Sequence, residues 1–410
     1  MLTAFGKYLR ILRDRRNMSL SDVVALTKSY PEPVGKGYLS RVERGLARIG
    51  FSKMVALSRA YEIPLDAFGE KLSLDLEVEE LKNAPNTNGK TFGELTGAGV
   101  VFNGRGMKWH CYAVIRDALP LAALDPLHTG SRNHREQVTR ATLSHGVAAR
   151  ATGRDNLALV EFAFVTANQD CLSEEALPVV FEQSAIAKIH LGELDQARLL
   201  ADRAVELANL SPRKKHLGDA LDTRAELASR AGDFPSAIAT YQEAFAAYKA
   251  VGRRLDCART MNNLADAYFS ERRFKAARRA LGAANRLANE LGADSIRARS
   301  RILLGEIEAL EGNPKRASSL WHDAIEITRR TRDSVVHFKA EFQLFKQAIE
   351  QGNLTAANAF GRRLNRMAPW ISRSELEVGE FLRLFAIHRK PKQRGVAKSQ
   401  HERLAGGNPE

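Results

Sequence analysis

Cysteine is scarce. The three present, Cys111, Cys171 and Cys257, form no CxxC and stand at no zinc spacing to a histidine, so neither a disulfide framework nor a metal finger is encoded. They read as ordinary thiols of a reduced, cytoplasmic chain. No stretch approaches the roughly 18 apolar residues of a membrane span. The opening run MLTAFGKYLRILRDRR is cationic and amphipathic, without the continuous apolar centre of a signal peptide. The expectation is a cytoplasmic protein with no membrane partner. HExxH, GxSxG and GxxxxGK[ST] are all missing, and the ten histidines are scattered. The chain therefore reads as no enzyme, with no cofactor and no metal.

What is present is helix-forming and basic. Aromatics make up only 7% of the 410 residues, while Ala, Leu, Arg and Glu recur throughout. The formal charge of +14 favours polyanionic partners, nucleic acid first among them. The length allows two or three domains.

Five short helices are expected in the first seventy residues. From Thr3 to Asn17, Phe5, Leu9 and Leu12 fall at helical spacing, with Lys7, Arg10 and the cations of Arg13 to Arg16 on the polar side. Ser19 and Asp22 form a capping box for a second helix ending near Thr27. Ser29 to Gly35 holds two prolines and a glycine, which is turn chemistry. A third helix, Lys36 to Arg44, is stopped by Gly45; a fourth covers Phe51 to Tyr61 and a short fifth Pro64 to Phe68.

These residues resemble the Cro/repressor-type (XRE) helix-turn-helix family. The resemblance rests on Phe5-Gly6-x-x-Leu9-Arg10-x-Leu12-Arg13, on Met18-Ser19, on Leu39-Ser40-Arg41-Val42-Glu43-Arg44-Gly45, and on Val55-Ala56-Leu57-x-x-Ala60-Tyr61-x-Ile63. It implies that the third helix reads the major groove of double-stranded DNA. Lys36 and Arg41 then face base edges, with Tyr38 and Ser40 beside them, while Arg44, Arg48 and Lys53 lie along the phosphates. It also implies a structural pair, Arg13 with Glu43; the bland alternative is that Arg13 belongs to a solvated row of cations. Two features depart from the family: Leu20 stands where a Gln is usual, and the turn around Tyr30 to Val34 is about five residues longer than usual.

Residues 76–130 read as a linker and irregular segment. Gly97 to Gly106 is glycine-rich but lacks a phosphate-loop sequel, so a loop or short hairpin is expected. Helical pattern resumes at Arg132, with a hairpin turning at Thr152-Gly153-Arg154.

The C-terminal half repeats with a period of about forty. Its turns begin at Leu191, Ala231, Glu271, Glu311 and Gln351; Ala197, Ala237, Ala277, Ala317 and Ala357 follow, then Ala204, Ala244, Ala284, Ala324 and Leu364. Small residues at fixed places are what closely packed helical hairpins need. With Ala185, Ala225, Ala265 and Gly305 upstream, Tyr268, and a closing Pro369, this resembles the tetratricopeptide repeat (TPR) family in a lengthened form. The resemblance implies a right-handed α-solenoid whose first helices line a groove for a peptide or protein. The positions carried over are Asp222, Glu226, Arg259, Asn262, Asn263, Asp266, Arg299, Glu306, Lys339, Gln343 and Lys346. Asn262 and Asn263 read as paired amides able to grip a peptide backbone. Arg299, Lys339 and Lys346 read as a site for a carboxylate terminus, and a merely solvated polar face is the alternative.

The expected fold is thus all-α. It comprises a helix-turn-helix domain at 1–75, the linker at 76–130, the repeats at 131–388 and a disordered basic tail at 389–410. The expected function is DNA-binding transcriptional regulation, as a homodimer, controlled by a peptide or protein effector. An interaction adaptor without specific DNA binding is the alternative.

Overall fold

A computed structural model describes residues 2–81, 83–104, 107–123, 132–212, 214–331, 333–371 and 376–389. The tail beyond Arg389 lies outside the described residues. Among those described the regular structure is all helix, and the chain divides into two compact units, Met1–Arg253 and Arg254–Glu410.

The first unit opens with α1 (Leu2–Arg15), α2 (Leu20–Thr27), α3 (Lys36–Glu43), α4 (Phe51–Ala60) and α5 (Leu65–Glu79). Ser19 caps α2 with the reciprocal Asp22 bond of a capping box. Gly45 takes a left-handed φ of 74°, which ends the turn after α3. The long turn between α2 and α3 is pinned: Val34 is fully buried, and its N–H donates to Thr27 Oγ1 at 3.2 Å. Gly6 lets α1 and α3 meet, because a Cβ there would stand 2.1 Å from the carbonyl oxygen of Val42.

Two expectations are corrected beyond α4. The fifth helix runs to Glu79 instead of stopping at Phe68, since Phe68, Lys71, Leu74, Asp75 and Val78 all turn inward. The supposed linker carries two further helices, α6 (Phe92–Gly104) and α7 (Lys108–Ala123), packed as a hairpin. The glycines that suggested a loop serve packing: a Cβ on Gly99 would meet Ile115 Cδ1 at 2.5 Å. Arg105 and Gly106 themselves lie outside the described residues.

Helices α8 (Arg132–Ala151) and α9 (Asp155–Ala167) form the next hairpin, turning at Gly153 with φ 80°. Glu70 of α5 caps the start of α9, accepting from the Leu157 N–H at 2.7 Å and Asn156 Nδ2 at 2.8 Å. One hydrophobic core runs from Phe5 to Val180, so the first five helices are built onto the helices that follow them. Hairpins α10 (Leu177–His190) with α11 (Leu194–Leu210), and α12 (Leu217–Arg230) with α13 (Phe234–Ala250), complete this unit.

The second unit holds three hairpins and a final helix. They are α14 (Arg254–Ser270) with α15 (Phe274–Leu291), α16 (Asp294–Leu310) with α17 (Pro314–Thr331), and α18 (Ser334–Glu350) with α19 (Leu354–Met367), then α20 (Leu376–Arg389). The periodic alanines explain themselves: Ala277, Ala284, Ala317, Ala324 and Ala357 have no exposed surface. At Gly305 a Cβ would meet Trp321 Nε1 at 2.3 Å, so the ring, donating to Ile302 O at 3.1 Å, occupies the place of a side chain. The turns at Gly312 and Gly352 are left-handed, and Arg272 holds the same conformation with φ 57°.

Candidate functional sites

The exposed side of α3 and the chain after it are cationic. Lys36, Arg41, Arg44 and Arg48 are exposed, Ser40 and Tyr38 half-buried. Several of these side chains are already ordered. Tyr38 Oη donates to the carbonyl of Arg48 at 2.6 Å, and Lys53 Nζ sits 4.7 Å from the centre of the Tyr38 ring. Arg44 Nε donates to the carbonyl of Ser40 at 3.1 Å. Tyr38 and Lys53 thus brace the loop after α3, leaving Lys36 and Arg41 as the helix's outward cations.

Beneath this face, Arg13 donates from Nε and Nη2 to the two carboxylate oxygens of Glu43, at 2.8 and 3.0 Å. Its Nη1 donates to Met18 O at 3.0 Å. This fork ties α1 to the end of α3 and to the start of the α2 turn. The Glu43 hydrogen bond and charge, working against burial, raise the Arg13 pKa above its ordinary value.

The cations after Arg13 are not a solvated row. Arg15 is only 8% exposed in its side chain; Nη1 donates to Glu161 Oε2 at 3.0 Å, and Nη2 to Thr142 Oγ1 at 2.9 Å. Glu161 has no exposed surface. Burial pushes its carboxyl up, but Arg15 and His145 outweigh that and hold it down at about 2. Around this pair lie Tyr8, Lys71, Asp75, Tyr112 and His145, all buried; Lys71 pairs with Asp75, and His145 stacks on Tyr112 at 4.7 Å. Sequence reading missed this network, because its members come from five helices with no common spacing. The one local signal was the i, i+4 pair Lys71 and Asp75.

The expected groove positions fall in both compact units. In the first, Asp222 is half-buried, and Glu226 accepts from Arg230 Nε at 2.9 Å. Nearby, burial and the charge of Asp219 push Glu182 up to about 7. Asp219 itself is held at about 2, where bonds from His216, Arg253 and Tyr248 overcome its burial.

In the second unit the first helices α14, α16 and α18 pack side by side. Arg259, Asn263 and Asp266 share one side of α14 at i, i+4 and i+7; Lys339, Gln343 and Lys346 do the same on α18, with Arg299 and Glu306 between them on α16. Asn262 does not belong to this set. It is 8% exposed, donates from Nδ2 to Ile296 O at 3.0 Å, and accepts from Ser300 Oγ at 2.6 Å. The paired-amide reading therefore fails, because successive helical residues point in different directions and Asn262 is consumed in bonding α14 to α16. Gln343 is buried as well.

The cationic end is engaged too. Lys339 Nζ lies 3.0 Å from Glu377 and Lys346 Nζ 3.9 Å from Glu380, both on α20, so the carboxylates this end was expected to receive come from the chain itself. Arg299 remains exposed. Four cations, Arg259, Arg299, Lys339 and Lys346, and four carboxylates, Asp266, Glu306, Glu377 and Glu380, share this face. Burial, with Asp266, Glu377 and Glu380 adding and Lys346 opposing, pushes Glu306 up to about 7. Asp266, on neighbouring α14, is exposed.

Residues 4–68 match the helix-turn-helix domain family, and residues 178–250 the tetratricopeptide repeat family. No curated protein matches the chain. Among solved structures, it is similar to the Rap conjugation gene regulator of the plasmid pLS20, solved in complex with the Phr* peptide. That likeness has 12% identity and a TM-score of 0.53, covering 91% of this chain and 98% of that one. It is also similar to the apo form of RapI, with 12% identity, a TM-score of 0.51, and 77% and 86% of the two chains covered. PlcR of Bacillus thuringiensis, solved with the peptide PapR7 and DNA, aligns at 12% identity and a TM-score of 0.42, over 73% of this chain and 99% of that one. For the pLS20 regulator and RapI, at these identities, the likeness is one of fold. The chain carries an N-terminal helix-turn-helix domain followed by a TPR region.

Proposed function

We propose that this chain is a sequence-specific, double-stranded-DNA-binding transcriptional regulator whose repeats bind a peptide or protein effector. The observation that carries the reading is α3. It presents Lys36 and Arg41 outward, flanked by exposed Arg44 and Arg48, on a helix fixed by the Gly6 approach and the Arg13–Glu43 fork. A held helix with outward arginine is what major-groove readout requires, since a bidentate contact to guanine tolerates little rotation. In this proposal residues 1–75 bind DNA as a homodimer in the cytoplasm, and residues 131–388 bind the effector. A peptide effector is supported by the similar fold of the pLS20 regulator, which was solved with one.

The test is selection of bound sequences from random duplex DNA by the full-length protein at moderate salt. A motif of two related half-sites is expected. Only weak, salt-sensitive binding without a motif would replace this reading with the adaptor one.

A further inference from the structure

A cleft opens where the helix-turn-helix domain meets the hairpins behind it, and neither the DNA-binding nor the effector reading uses it. It measures about 540 Å³, inside the range of small-molecule sites. One wall is the end of α1 with the turn Glu62 to Pro64 between α4 and α5. The other is α9 with the end of α10 and the turn after it. The lining is mostly apolar: Leu12 and Ile63 are buried, Leu159, Val160 and Phe164 half-buried, and Leu191 exposed. An apolar body placed there displaces water from these side chains.

The charges in the lining are not equivalent. Arg15 is engaged by Glu161 and Thr142, with its guanidinium 4.1 Å from the centre of the Phe164 ring. Lys188 Nζ donates to Glu193 Oε2 at 2.7 Å. Arg16 differs from both. It is half-buried and donates from Nη1 to the carbonyl of Leu12 at 3.3 Å, yet it has no carboxylate within ion-pair distance among the described residues. Glu62 is exposed and acts on it only at longer range. Burial, which Tyr8 and Glu62 only partly offset, lowers the Arg16 pKa from its ordinary value. Its Nε and Nη2 have no acceptor among the described residues, and together they make the fork that takes a carboxylate in two parallel bonds.

We propose that this cleft binds a small carboxylic acid with an apolar body, its carboxylate on Arg16 and its apolar part against Leu159, Val160 and Phe164. Such a ligand bridges α1 to α9 beside the Arg15 bond. It gives the protein a small-molecule input separate from the face formed by α14, α16 and α18. The proposal does not rest on DNA binding.

The experiment is isothermal titration of the full-length protein with octanoate and, separately, octanol, alongside thermal unfolding, for the wild type, Arg16→Gln and Ala163→Trp. Octanoate should bind saturably with a Kd below about 1 mM and at least about tenfold tighter than octanol. In Arg16→Gln, octanoate should weaken about tenfold while octanol is unchanged. Ala163 is an exposed lining residue of α9, so a folded Ala163→Trp should fill the cleft and lose both probes. Should that variant unfold early, Arg16→Gln decides the question alone. Absence of saturable octanoate binding overturns the proposal, as does equal affinity of the wild type for acid and alcohol. Octanoate bound by Arg16→Gln as tightly as by the wild type, or retained by folded Ala163→Trp, also overturns it by placing the acid elsewhere on this cationic chain.

Discussion

Arg15 and Glu161 are 146 residues apart in sequence and 3.0 Å apart in space, each almost wholly buried. Glu161→Gln removes the charge that compensates Arg15, and breaking a buried pair this way costs about 3–5 kcal/mol. The carboxyl is depressed to about 2 in the folded chain, below its unfolded value. Its contribution is therefore complete above about pH 4.3 and is lost as pH falls toward 2. Urea unfolding at neutral pH should show the variant strongly destabilised, and the difference from wild type should narrow in acid. An equal difference at both pH values would deny the linkage.

Gly6→Ala should be among the most damaging small changes in the first helix. The obstacle is the backbone carbonyl of Val42, so α3 must move as a body. Overpacking of this kind costs about 1–3 kcal/mol. Gly69→Ala is the control, since its Cβ would meet nothing; it should stabilise by about 0.5–1 kcal/mol. Thermal melts compare them, and a mobility shift on the selected operator should be weakened only by Gly6→Ala.

Arg41→Ala should cost about 1–3 kcal/mol of specific affinity and relax preference at one base position. Arg48→Ala should weaken binding to all duplexes alike and flatten the salt dependence by about one unit of slope. Titrations over a salt series distinguish the two. Unchanged base preference in Arg41→Ala would remove it from readout.

Asn262→Ala should destabilise by about 1–3 kcal/mol, because Ser300 and the Ile296 carbonyl lose their buried partner. Half-exposed Asn263→Ala should stay within about 0.5 kcal/mol. Denaturant midpoints decide it, and equal losses would contradict the inward placement of Asn262.

Glu306 makes the opposite pH statement to Glu161. Its folded pKa is raised to about 7, so the folded state holds a proton that the unfolded state releases above about pH 4.3. Stability from this group is full below that value and declines as pH rises to about 7. Glu306→Gln, a permanent stand-in for the protonated form, should therefore raise the unfolding temperature at pH 8 and leave it unchanged at pH 4. A variant no more stable than wild type at pH 8 would sink the assignment.

The parts legible in sequence were those where one local rule acts. Ser19 with Asp22 spells a cap, and Ala277, Ala317 and Ala357 recur because each hairpin crossing needs the same small side chain. Helix α6 was misread because glycine serves two ends. The run from Gly97 reads as a loop or short hairpin, yet Gly99 admits Ile115. Asn262 and Asn263 looked alike as letters and differ by a rotation about the helix axis. The Arg15–Glu161 pair had no signature at all, since only the reach of the Arg15 side chain from α1 to α8 and α9 brings its partners together.

The joining of α1 to the helices behind it also bears on what kind of operator such a protein can use. A reading head on a slack tether samples many separations and accepts half-sites at variable distance, losing only a little entropy for each extra residue of reach. Here the first helix is bolted through Arg15 and Glu70 caps the start of α9. If the proposed DNA-binding reading holds, the head has no slack of its own against these helices, so any tolerance of half-site spacing has to come from elsewhere in the assembly.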